Sequence, residues 1–254
     1  MRPVVVRRQR QTCIGDGLLG LYLGCNVRPF TRTTSDGVLL RGREYDMEDF
    51  LRDAVKKYSE LTGNTKLQKV TTPFIEDPPV RLGPDGDILD RGELQQHAAS
   101  ILMRILWAAR QARPDLLRAI NSLATCITKW DSHNDKELHR LMCYIHHSYH
   151  HRHCAWVGDD YDQINLHLYA DADFAGCRYS KRSTSGGFCV LEGRNTLFPI
   201  GYCSKRQGAV SHSTPEAEIV AADHVVRTMG VPALDLWEVL LRRELVIQFH
   251  EDNQ

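Results

Sequence analysis

The sequence predicts an α/β protein, with α+β character in its N-terminal part, and three observations carry that prediction. Ile164, Leu166, Leu168 and Ala170 alternate with Asn165, His167, Tyr169 and Asp171, the period-two pattern of a half-buried strand. Apolar residues recur at helical spacing over residues 45–61, 93–111 and 134–151. The last third orders its segments as strand, strand, strand, helix, strand, which suits a mixed sheet with flanking helices. A small helical unit is expected before that sheet.

Taken in order, LLGLYLGCNV over residues 18–27 reads as a short buried strand, and SDGVLL as a turn at Gly37 into a second one. Met47, Phe50, Leu51, Ala54, Val55, Tyr58 and Leu61 share one face of an amphipathic helix. The stretch TTPFIEDPPVRLGPDGDILDRG, residues 71–92, is rich in proline and glycine and reads as a linker. Glu93–Gln111 is a helix whose Ala98, Ile101, Leu102, Ile105, Leu106 and Ala109 face inward; Pro114 opens the next, running to about Trp130. A third, from Asn134 to about His151, turns Leu138, Leu141, Met142 and Ile145 inward, and successive helices of this kind pack as a unit. Beyond the strand at 164–171, FCVLEG and TLFPIGYCSKR read as strands. Thr214-Pro215-Glu216 supplies a capping hydroxyl, a first-turn proline and an acid near the positive pole of a helix running through Val226. LDLWEVLL is helical again, and LVIQF closes as a strand.

Composition narrows the function classes. Lysine plus arginine total 32, as do aspartate plus glutamate, so the overall charge gives no direct argument for nucleic acid. Basic residues are nevertheless clustered, in MRPVVVRRQR and in CRYSKRSTSGG. No apolar run is long enough to span a membrane, and no signal-peptide core follows the first charges. The eight cysteines lack a CxxC pair and read as reduced, packing residues of an intracellular protein.

Three carboxylate positions stand out: Asp171 ending the alternating strand, Glu218 early in the following helix, and Asp252 just past the last strand. Acids on rigid elements, in that order, are what a two-metal phosphodiesterase needs, because Mg²⁺ takes hard oxygen donors and its charge offsets their mutual repulsion. Acids at strand ends and helix starts are also common solvated caps. Asp173 competes with Asp171 on the same strand face, and Glu216 with Glu218.

LYADADFAGCRYSKRSTSGGFCVLEG, then GYCSKRQGAVSHSTPEAEIVAADHVV, then HEDNQ, resembles the ribonuclease H region of copia-type LTR retrotransposon Pol polyproteins. The four sequence blocks of that family occur in order over the last third of the chain. Upstream, LLGLYLGC is similar to the end of a reverse transcriptase palm, REYDMEDFLRDAVKKY to a thumb-like segment, and GELQQHAASILMRILWAARQARPDLLRAINSLATCITKW to connecting helices. The resemblance implies residues 1–75 as palm end and thumb-like segment, 76–92 as linker, 93–156 as helical connection and 157–254 as a ribonuclease H-like domain. That domain is expected to be truncated, because the family adds a further helix, a strand and a fourth acid after the third. Pro215 is an insertion relative to the family.

What the resemblance implies chemically is cleavage of the RNA strand of an RNA–DNA hybrid, with Asp171, Glu218 and Asp252 as catalytic ligands of two Mg²⁺ (or Mn²⁺) ions. The implied partners are the hybrid and the remaining reverse transcriptase polyprotein, without a membrane, in the cytoplasm or nucleus. Polymerase activity is not expected of this chain alone. Lys181, Arg182, Ser183, Thr184 and Ser185 are candidates for holding the hybrid's phosphates, against a plain polar hairpin turn. The alternatives are an inactive retroelement remnant, whose last strand would leave an apolar edge, and a helical interaction module over residues 93–152. The run Cys143, His146, His147, His150, His151, His153, Cys154 could bind a metal, with His147 and His151 one helical turn apart, but fits no known zinc frame. Trp107, Trp130 and Trp237 fall within helical patterns and are expected in the core.

Overall fold

The computed structural model of the chain describes residues 20–75, 90–177 and 180–251. Strands β1 (Leu21–Tyr22) and β2 (Cys25–Thr33) form a hairpin closed by Leu23 and Gly24, both at positive φ (52° and 84°), the conformation of the tight turn that matches strand twist. The single buried strand expected over 18–27 is therefore replaced by a chain reversal. Leu21, Tyr22 and Leu23 are exposed and Cys25 is buried; an apolar run without periodicity does not reveal where it turns. Residues 18 and 19 lie outside the described residues. Gly37, at φ 83°, makes the expected turn into β3 (Leu39–Asp46).

Four α-helices form the helical unit: α1 (Glu48–Thr62), α2 (Gln95–Ala112), α3 (Leu117–Thr125) and α4 (Ser132–His147). A 3-10 turn at Pro114–Leu116 leads into α3, so the proline does start a helical segment. That segment ends at Thr125 rather than near Trp130, and a second 3-10 turn follows at Ile127–Lys129. Of the inward residues expected, Leu51 and Tyr58, Leu102 and Ile105, and Leu138, Leu141, Met142 and Ile145 are buried in one core, whereas Leu61, at the end of α1, is 46% exposed. Trp130 is fully buried there, its indole nitrogen donating to Asp135 Oδ1 at 2.6 Å. Trp107 departs from expectation: it is 39% exposed and its Nε1 donates to the Leu23 carbonyl, tying α2 to the β1–β2 turn. Arg113, at the end of α2, is buried and donates to the Ser148 carbonyl and to both Asp115 carboxylate oxygens.

Residues 153–157, which straddle the boundary expected at 156 between the helical connection and the last domain, form β4, which pairs with β3 on one side and β7 on the other. It joins the two halves into one eight-stranded sheet of order β1-β2-β3-β4-β7-β6-β5-β8. Strands β5 (Asn165–Asp173), β6 (Thr184–Gly193) and β7 (Thr196–Arg206) are an antiparallel meander, and β8 (Ile247–His250) lies parallel to β5 at the sheet edge. A parallel neighbour needs a crossover, and α5 (Thr214–Val225), a π-helical segment (Val226–Gly230) and α6 (Val231–Leu241) provide it. The α5 cap is Ser213, whose Oγ accepts from the Glu216 amide, rather than Thr214, with Pro215 in the first turn. Tyr202 packs against the helical-unit core and its neighbour Cys203 against the core under α5 and α6, so the two sets of helices cover opposite faces of the sheet. The seven cysteines among the described residues are all free thiols.

Candidate carboxylate site

Alternation along β5 decides where its acids point. Ala170 packs with Val225, and Ala172 with Ala217 and Ala221, so both alanines face α5. Asp171, between them, lies on the opposite face and is exposed. Its antiparallel partner is Gly186, which leaves the strand surface beside it bare. Asp171 opens on a cavity of about 490 Å³, lined also by Tyr169, Phe188, His250 and Glu251.

Glu218 sits in the second turn of α5, 6% exposed, on the face that meets β5. The start of α5 is pinned by a buried side chain that sequence reasoning missed. Gln207 Nε2 donates to Ser185 Oγ at 3.1 Å and to the Ala217 carbonyl at 2.8 Å, while its Oε1 accepts from Ser211 Oγ. A buried amide satisfied on three sides fixes the helix against β6, and with it Glu218. The structure brings Asp171 and Glu218 to the C-terminal end of β5, one on each side of the sheet. Asp252 lies outside the described residues. Among the described residues, no three His, Cys, Asp or Glu side chains gather as a metal site.

The competing acids have other engagements. Asp173 Oδ2 accepts from Arg118 Nη2 at 2.6 Å, and Arg118 also lies over the Phe74 ring, so Asp173 helps dock α3 on the sheet. The Glu216 carboxylate accepts from the His212 amide at 2.7 Å, a cap of its own helix. Within the basic loop, Lys181 is exposed at φ 53°, whereas Ser183 and Ser185 are buried. Ser183 Oγ accepts from the Ala175 amide and Ser185 Oγ from Gln207, so both hydroxyls serve the fold; Lys181, Arg182 and Thr184 retain access to solvent.

The histidine run does not form the expected helical pair. α4 ends at His147, and Ser148 caps it with a non-helical backbone, so His151 is not one turn along the same helix. Burial lowers the pKa of His146, His151 and His153.

The architecture is that of a mixed α/β protein whose strand β5, next to the sheet edge, pairs antiparallel on one side and parallel on the other, with an exposed aspartate at its end. The chain is similar to the retrovirus-related Pol polyprotein from transposon RE1 of Arabidopsis thaliana, 29% identical over 177 residues, which are 70% of this chain and 11% of that protein. It is also similar to the uncharacterized mitochondrial protein AtMg00810 of the same plant, 31% identical over 111 residues, 42% of this chain and 41% of that one. The matched regions thus span less than half of either relative. These relatives bear out the resemblance to retrotransposon Pol polyproteins read from the motifs. No family model and no solved structure matches the chain. No helix among the described residues is long and apolar enough to cross a membrane.

Proposed function

We propose that the chain is a retrotransposon-derived nuclease of the ribonuclease H type, cutting the RNA strand of an RNA–DNA hybrid. The observation that carries this reading is that β5, β8 and α5 converge on the C-terminal end of β5, where Asp171 is exposed. Asp171 lies two residues beyond Tyr169, and Asp252 two residues beyond His250, the parallel partner of Tyr169. Glu218 approaches the same strand end from α5.

The donor set fits Mg²⁺ or Mn²⁺ on chemical grounds. Asp171 offers hard carboxylate oxygens at an open cavity, and rigid strand and helix positions suit ligands that must not drift. The residues that would hold the ions are Asp171 and Asp252, with Glu218 joining them only by reaching past the end of β5, since α5 lies on the other face of the sheet. When bound, the ions would supply an activated water and charge stabilisation at the phosphate. The protein's own part is positional. β5 holds Asp171 at the cavity, Gln207 holds α5 against β6, and Lys181 and Arg182 offer cations to the nucleic-acid backbone. Recognition of the hybrid would rest on groove shape and 2′-hydroxyls rather than on sequence.

The test is a cleavage assay of the purified chain on a hybrid labelled in its RNA strand, with Mg²⁺ or Mn²⁺. RNA should be cut by the native chain and not by Asp171→Asn or Glu218→Gln, both melting near the native temperature. Absence of cutting by the native chain with either ion, or undiminished cutting by both variants, sinks the proposal. The former outcome is what an inactive remnant would give.

A further inference from the structure

On the face of the sheet opposite α5 and α6, each of six neighbouring strands contributes one aromatic ring to a single row: Tyr45, His153, Tyr202, Phe188, Tyr169 and His250. Register pairs them directly at Tyr45↔His153, Tyr202↔Phe188, Phe188↔Tyr169 and Tyr169↔His250. His250 and Tyr169 lie 4.3 Å apart between centroids at 11°, Tyr169 and Phe188 5.8 Å at 26°, Phe188 and Tyr202 5.1 Å at 10°. These are offset stacks, the preferred arrangement of π systems. The Tyr45, His153 and Tyr202 end of the row lies by the helical unit, against whose core Tyr45 and Tyr202 pack. At the other end Phe188, Tyr169 and His250 line the cavity of about 490 Å³ that holds Asp171.

We propose that this end of the aromatic row is a stacking site for the unpaired bases of single-stranded nucleic acid. A base has the flat π face that continues an offset stack, and base–aromatic stacking tolerates any sequence. The same sheet face provides for the phosphates. Asp173, Thr184 and Arg206 form a parallel row four residues further along β5, roughly 13 Å from the rings at a strand's rise per residue. Arg118 reaches over that row to Asp173, and about half of its side chain stays exposed. The cations on this face are Arg206 and the half-exposed Arg118, which also pairs with Asp173, while Asp171 and Glu251 line the cavity; a strand would therefore set its bases at the rings and its phosphates toward the two arginines. The proposal concerns binding alone and stands whether or not the chain hydrolyses a hybrid.

The experiment is fluorescence anisotropy of labelled oligothymidylate with the full chain in EDTA, where hydrolysis is silent. An abasic oligonucleotide of equal length and the duplex of the same sequence serve as competitors. The natural single strand should bind on the order of tenfold tighter than the abasic strand and tighter than the duplex. Phe188→Leu should lose a similar factor while its thermal melting stays close to native. Equal affinity for natural and abasic strands, or no saturable binding of either, overturns the proposal; that comparison uses the native chain and does not depend on a variant folding. Binding without cleavage in the hybrid assay would uphold this inference and sink the nuclease reading, and the reverse result would do the opposite.

Discussion

Asp171 and Asp173 lie on one face of one strand, but only Asp173 has an ion pair among the described residues, which makes their exchange for asparagine the sharpest comparison available. Asp173→Asn removes the charge partner of Arg118 at 2.6 Å but keeps the volume and an acceptor oxygen. The two side chains are 38% and 49% exposed, so solvent screens the pair heavily. At an effective dielectric of 20 two charges 4 Å apart would attract by about 4 kcal/mol, but exposed pairs deliver about 0.2–1 kcal/mol. Arg118 keeps its place over Phe74, 4.5 Å from the ring centroid, a contact worth about 0.5–1 kcal/mol. The loss is then about 1 kcal/mol or less, a fall in Tm of about 2–4 °C for a chain of this size, and cleavage of the hybrid continues. Asp171→Asn has no such pair to break among the described residues and leaves Tm within a degree or so. If Asp171 holds an ion, the variant forfeits transition-state stabilisation of several kcal/mol, a drop in rate of about a hundredfold or more. The assay is initial-rate cleavage beside thermal melting on the same preparations. Cleavage lost in Asp173→Asn at native Tm, and retained in Asp171→Asn, would refute the division of roles.

Three further outcomes follow from packing and burial. Trp130→Ala, which empties a fully buried indole site and removes one of the donors to Asp135, should cost about 3–5 kcal/mol in urea unfolding; a loss under about 1 kcal/mol contradicts the packing described. Gly187→Ala should destabilise by about 1–3 kcal/mol, because its Cβ would sit 2.6 Å from Val225 Cγ2 and 2.7 Å from Cys203 Sγ. Gly186→Ala, with nothing nearer than the Asp171 carbonyl at 3.7 Å, should stay within about 0.5 kcal/mol, so equal effects at the two sites would be a failure. Burial lowers the pKa of His153, whose Nε2 lies 3.0 Å from the Tyr202 hydroxyl, and also that of His146, His151, His167 and His224. Below the ordinary histidine value of about 6.5 the unfolded chain binds more protons than the folded one, so stability falls as pH drops through that window and levels off beneath the lowered values. Urea midpoints measured between about pH 7.5 and 5 should show this fall, with a shallower slope in His153→Phe; a flat profile would count against it.

Much of the fold was legible because local pattern and tertiary role agree. The alternation through Leu166, Leu168 and Ala170 and the inward faces of α1, α2 and α4 appear in the structure nearly as read, and TLFPIGYCSKR is β7 end to end. What failed did so for physical reasons. The reversal at Leu23–Gly24 hides in an apolar run, and the cap of α5 fell on Ser213 because several hydroxyls compete in SHST. β4 is five residues long, two of them histidine and cysteine, and its strand character comes from its partners on both sides. For the candidate site, residue types and order were readable, whereas Gln207 and Arg118 act across many residues of sequence and gave no local signal.

By itself the sequence determined which residues are chemically equipped: Asp171, Glu218 and Asp252, the basic loop, and the likeness to retrotransposon Pol polyproteins, since motif and spacing are properties of the chain. Tertiary structure alone decided that Asp173 is held by Arg118, that Glu216 caps its helix and that Glu218 turns inward. It alone aligned six aromatic residues into one row. Strand register depends on hydrogen bonds between segments more than a hundred residues apart in places, as Arg41 and Val157 are, and no local pattern encodes which of them meet.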